Sequence, residues 1–157
     1  MANNNTLQNV LAHLKEQNVT ADYQKETDQI VVVKKIEGID FPLFIRFLDE
    51  GKLMQMIAFI PCNVKKESVA DLARLLHLLN KEMDLPGFGY DEDSGVVFYR
   101  VVMPTLNDQW DKQVFDIYMN SMEIICRSFS PVVINICQGT MTLDAVIQKA
   151  QELKGKA

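Results

Sequence analysis

The stretch LARLLHLLNKEMDLPGFGYDEDSGVVFYRVVM, Leu72–Met103, constrains the fold more than any other part of this chain. Its first part carries leucines at helical spacing and ends near Asn80. Its second part is a short strand, an Asp/Ser/Gly turn and a second strand of β-branched and aromatic residues. A helix followed by a tight hairpin fixes an order of elements. Nothing in the stretch forms a recognisable catalytic pattern, so it speaks to fold and not to chemistry.

The segments on either side extend that order. Asn5 or Thr6 can cap a first helix with Leu7, Val10, Leu11 and Leu14 on one face. Val19 to Gln24 reads as a short strand, followed by strands at Gln29 to Ile36, Phe41 to Leu48 and Leu53 to Ile60. The turns between them, Glu26-Thr27-Asp28, Glu37-Gly38-Ile39-Asp40 and Asp49-Glu50-Gly51-Lys52, hold the residues that tight reversals favour. Pro61 stops the sheet, Ser68 and Asp71 resemble a capping box, and Val69, Leu72, Leu75, Leu76 and Leu79 form the inner face of the next helix. Strands at Phe88 to Asp91 and Val96 to Met103 follow, and Pro104 ends the sheet. A long helix is expected from about Asp108 to Ser128, with Trp110, Val114, Ile117, Tyr118, Met122 and Ile125 roughly at helical spacing. Ser130-Pro131 is expected to break it. Val132 to Gln138 reads as strand by its β-branching and as helix by its Ser-Pro start, with helix preferred. Gly139 would end it, Thr142 would cap a last helix, and Lys154 to Ala157 would fray.

The fold class expected is therefore α+β: a single twisted antiparallel sheet of five to six strands with N-terminal, inserted and C-terminal helices. A length of 157 residues suits one domain spanning 1–157. The net charge of -5 and pI near 5.0 argue against nucleic acid as partner, which demands concentrated Lys and Arg. No segment is long and apolar enough to enter a membrane, and the N-terminus lacks the pattern of a signal peptide, so a cytoplasmic location is expected. Cys62, Cys126 and Cys137 are an odd set with no C-x-x-C pair. Buried free thiols, slow to react and indifferent to reductant, are expected rather than a disulfide framework or metal site.

Candidate chemistry is sparse. Asp91-Glu92-Asp93-Ser94-Gly95 has the look of a calcium loop, but its glycine falls one place early and Val102 stands where the bidentate acid belongs. A hairpin turn is the better reading. His77 lies in an apolar helix and His13 on a polar helix flank, neither with a ligand partner at suitable spacing, so structural or surface roles are expected. Gly87-Phe88-Gly89 enters a strand instead of leaving one, which makes it poor as a phosphate loop. No nucleophile, metal or P-loop motif occurs, and no cofactor is expected.

The strands say more. Leu43, Ile45 and Phe47 alternate with Phe44, Arg46 and Leu48. Met54, Met56, Ala58 and Ile60 alternate with Gln55, Ile57 and Phe59. Val97, Tyr99, Val101 and Met103 alternate with Val96, Phe98, Arg100 and Val102. A sheet wet on one side should alternate apolar with polar. Here the Gln- and Arg-marked face is still largely apolar. Two readings stay open: the chain's own helices cover both faces, or part of the second face meets another protein.

The helix end Leu75-Leu76-x-Leu78-Leu79-Asn80, the following Phe88-x-Tyr90-Asp91-x-Asp93-x-Gly95-Val96-Val97-Phe98-Tyr99-Arg100, and the tail Phe129-x-Pro131, Gly139 and Thr142-x-x-Ala145 resemble the YbjN-like group. This group is labelled bacterial sensory transduction regulators and shares the type III secretion chaperone fold. The likeness spans most of the chain and rests on fold-making residues. It implies a homodimer or partner-binding protein without enzymatic activity. The extra C-terminal helix departs from the secretion chaperones proper and favours the YbjN side.

Taken together, these readings give a non-enzymatic, chaperone-like adaptor or regulator that binds a protein partner through apolar sheet or helix surface. The residues expected at the partner or dimer contact are Phe44, Arg46, Leu48, Ile57, Phe59, Phe98 and Arg100. The alternative is a small-ligand-binding domain with a pocket between the sheet and the C-terminal helices.

Overall fold

The computed structural model describes residues 4–105, 107 and 109–156, with side chains from Leu7 onward. The elements run α1 (Asn4–Glu16), β1 (Ala21–Gln24), β2 (Gln29–Ile36), β3 (Ile39–Leu48), β4 (Leu53–Ile60), α2 (Val69–Glu82), β5 (Phe88–Asp91), β6 (Val96–Pro104), α3 (Lys112–Gln138) and α4 (Leu143–Gly155). This is the expected α+β class. The six strands form one antiparallel sheet in the order β1-β2-β3-β4-β6-β5. The expected cap at Asn5 or Thr6 rests on side chains outside the described residues, as does the expected helix start at Asp108.

Tight turns make the meander. Glu37 and Gly38 both take positive φ, 51° and 79°, and Ile39 already pairs with Ile36. The reversal therefore needs two residues where four were expected, because a mirror-image turn matches the twist of the strands. After β4 the chain leaves the sheet through α2 and returns as β5 and β6. Asn80 fastens that return. Its amide donates to the Phe88 carbonyl at 2.9 Å and accepts from the Gly87 and Phe88 N–H groups at 3.2 and 2.9 Å. Gly87 is required by space: a Cβ there would lie 2.2 Å from the Arg100 carbonyl.

The core lies between one sheet face and the helices. Ile30, Ile45, Met54, Met56, Val97 and Tyr99 from the sheet are fully buried with Leu7, Val10 and Leu14 of α1, Leu72 of α2 and Phe115, Met122 and Ile136 of α3. Helix α4 packs against α2.

The helices depart from expectation in four places. Ser68 takes helical backbone angles and makes no capping bond. Asp71 instead accepts from the Leu143 N–H at 3.1 Å, so its carboxylate pins the start of α4 to α2. Helix α3 begins at Lys112, capped by Asp111 through the Val114 N–H, and runs unbroken to Gln138. Pro131 lies on its exposed side while Ser130, Val133, Ile136 and Cys137 are buried. Packing on both sides of the proline outweighs the single backbone bond it removes. The inward stripe of α3 is Phe115, Met119, Met122 and Cys126, and Val114 and Ile117 of the helically spaced set face outward. Helix α4 continues to Gly155, beyond the expected fraying point at Lys154. Gly139 in the left-handed region and the Thr142 cap terminate α3 and start α4 as the residues dictate.

Candidate binding surface

Phe44, Arg46, Leu48, Ile57, Phe59, Phe98 and Arg100 all stand on the sheet face opposite the core. Phe44 lies opposite Ile57 and Ile57 opposite Arg100, while Phe59 lies opposite Phe98 and Arg46 opposite Gln55. The Phe44 and Phe59 rings sit 5.1 Å apart. The Arg100 guanidinium stands 5.4 Å over the Phe98 ring, an arrangement in which the cation meets the negative face of the aromatic. Gly89 on β5 makes room for that ring, since a Cβ there would fall 2.5 Å from it. Gly87 and Gly89 thus serve packing.

Among the described residues, none of the helices covers this face. Its phenylalanines, Ile57 and Leu48 are half-buried, shielded only by sheet neighbours, and Arg46 and Arg100 are exposed. Two further valines belong to it. Val31 pairs with Phe44, and Val33, beside Pro42, is 56% exposed. Their signal was present in the alternation of β2, where Ile30 and Val32 point to the core. Val102, 42% exposed, completes the surface beside Gln55. Arg46 and Arg100 make no ion pair among the described residues. The outer strands β1 and β5 are only four residues each, so the sheet offers little free edge and a broad apolar face.

The pocket expected between sheet and C-terminal helices has a small counterpart. Ile36, Phe41, Cys126, Ser130 and Ile134 line a cleft of about 190 Å³ between the β2–β3 turn and α3. The Ser130 hydroxyl is buried there without a hydrogen-bond partner among the described residues. Most ligand pockets are about 300–1,000 Å³, so this one falls below that range.

His13 is buried, contrary to its expected place on a polar flank. Its Nε2 lies 2.8 Å from Asp116 Oδ1, and its ring meets Trp110 and Phe115 edge-on at 5.5 and 5.8 Å. The imidazole ties α1 to α3. His77 is exposed on α2. Asp91 accepts from the Ser94 hydroxyl at 2.7 Å and the Asp93 N–H at 3.1 Å. Those bonds hold its carboxyl below the usual range and spend the group on its own hairpin.

Two of the thiols are buried and free as expected, and Cys62 is free but not buried. Cys126 is buried, and burial pushes it up to about 12. Cys62 is only half-buried, and its Sγ lies 3.2 Å from that of Cys137. Separation by 75 residues hides such a pair from any spacing rule.

With this geometry in hand, the likeness to known proteins can be placed. Residues 6–135 match the YbjN family, described as "Putative bacterial sensory transduction regulator". The chain belongs to the YbjN family. The solved structure titled "Crystal structure of YbjN, a putative transcription regulator from E. coli" superimposes with a TM-score of 0.61 at 11% identity, covering 87% of this chain and 94% of that one. At that identity the likeness to YbjN concerns the fold. No curated protein matches the chain. No helix among the described residues is long and apolar enough to cross a membrane.

Proposed function

We propose that this YbjN-family chain is a non-enzymatic cytoplasmic regulator that acts as a chaperone-like adaptor, holding a protein partner on the open face of its sheet. The observation that carries this reading is the uncovered apolar face with two unpaired arginines. Apolar area of this kind is costly in water and marks contact surfaces. Arg46 and Arg100 are the charges within the apolar part of the face, while Asp22, Asp40 and Asp91 stand toward its edges. A partner segment with apolar and acidic side chains fits it; nucleic acid does not fit the chain as a whole.

A second copy is the other occupant this face could take. A symmetric homodimer buries the same apolar strip twice. It also brings the arginines of both copies to one interface, so it is the weaker arrangement. The small-ligand alternative draws on the unpartnered Ser130 hydroxyl, whose cleft is small, and on an open depression of about 660 Å³ at the end of the sheet that Phe59, Lys65, Val96 and Gln138 line.

The experiment compares wild type with Phe59→Glu and with Arg46→Glu/Arg100→Glu as bait in native lysate, alongside light scattering of the pure proteins. A specific protein held by wild type and lost by both folded variants supports the adaptor. A wild-type mass that doubles at micromolar concentration, and halves in Phe59→Glu, supports the homodimer. A monomer whose captured proteins are identical in all three samples contradicts both.

A further inference from the structure

Cys62 follows Pro61 just past the end of β4, and Cys137 sits in the last turn of α3. Their sulfurs lie 3.2 Å apart. The backbone holds them there independently of the thiols, because the Lys65 N–H donates to the Cys137 carbonyl at 3.0 Å. A covalent S–S bond is about 2.05 Å long, so closing the pair needs a movement of only about 1 Å.

The two thiols are not equivalent. Cys137 is fully buried. Cys62 opens onto a depression of about 660 Å³ that Phe59, Pro61, Lys65 and Val96 also line. The contact with the Cys137 thiol lowers the pKa of Cys62, while the same contact and burial raise that of Cys137. One sulfur is accessible and inclined to ionise; the other waits behind it. Cys126 is buried in α3 and takes no part.

We propose that Cys62 and Cys137 form a peroxide-oxidisable pair, with Cys62 as the thiol attacked first and Cys137 as the resolving thiol. The Cys62 thiolate attacks one oxygen of a hydroperoxide. The O–O bond breaks, the Cys62 sulfur gives up two electrons and becomes a sulfenic acid, and the other oxygen leaves as water or alcohol after taking a proton. The Cys137 sulfur then attacks the sulfenic sulfur. The S–S bond forms, the S–OH bond breaks, and the hydroxide departs as water with the proton from Cys137. The product fastens the loop after β4 to the end of α3.

Hydrogen peroxide applied to the reduced full chain tests this, read by intact mass and by a non-reducing peptide map. Wild type should lose two hydrogens and show a Cys62–Cys137 cross-linked peptide, with Cys126 free. Its Tm should rise by about 5–10 °C and return on reduction. Cys137→Ser should trap a dimedone-reactive sulfenic acid on Cys62, and Cys62→Ser should give neither product. Folding of both variants is checked by Tm. The proposal is overturned if wild type gains oxygen on Cys62 without cross-linking, or links two chains through Cys62. It is equally overturned if wild type stays reduced under peroxide that modifies an exposed thiol.

Discussion

The two faces of one sheet, built from alternate residues of the same strands, have opposite fates. On one, Ile45, Met54, Met56, Val97 and Tyr99 are sealed beneath α1, α2 and α3. On the other, Phe44, Ile57, Phe59 and Phe98 are as apolar but are sheltered by sheet neighbours such as Val31 and Arg100 and by one another. A strand cannot favour one face by composition when both sets are apolar, so the helices decide which face becomes core. The first face is a matter of stability. The second adds less to stability, and on the function proposed above it is the contact surface.

The largest effects should come from the covered face. Phe115 is fully buried between His13 and Trp110, and Phe115→Ala should cost about 3–5 kcal/mol in chemical denaturation. Leu76→Ala on α2, where Leu76 is 4% exposed, should cost about 2–5 kcal/mol. A loss near zero at either site would erase the distinction between the faces.

A smaller effect separates packing from polarity within the core. Tyr99 is fully buried and donates to the Leu85 carbonyl at 2.7 Å, and burial pushes its phenol up to about 12. A folded pKa above the ordinary 10 means the fold favours the neutral phenol. That stabilisation is complete below about pH 10 and is lost as pH rises through about 12. Tyr99→Phe should cost about 1 kcal/mol at neutral pH by leaving the carbonyl unpaired, and should lessen the alkaline loss. An alkaline decline equal to that of wild type would show that Tyr99 is not its source.

The strands were legible because period-two alternation and Gly/Asp turns are local signals; β2, β4, β5 and β6 fall within a residue of expectation, while β1 and β3 start two residues away from it. The two sheet faces were legible for the same reason. Which face the helices would cover was not, since that depends on how α1, α2 and α3 return to the sheet. Apolar residues occupy two sides of α3, and only contact with the sheet selects Phe115, Met119 and Met122 as its inward stripe. Pro131 invited a break that long-range packing overrides. The His13–Asp116 contact, the Asp71 bond to Leu143 and the Cys62–Cys137 pair join residues 72 or more positions apart. No local pattern encodes them.

The central claim is that the open face is contact surface and not core, and the denaturation free energy of Phe59→Glu tests it most directly. Phe59 lies near the end of β4, beside Phe44 and opposite Phe98. At a protein concentration where wild type is monomeric, the variant should lose about 1–2 kcal/mol, the scale of strand preference plus one lost aromatic pair at a half-buried position. A loss of about 3 kcal/mol or more, the scale of burying an unpaired charge or emptying a core site, would place Phe59 in the core and contradict the account.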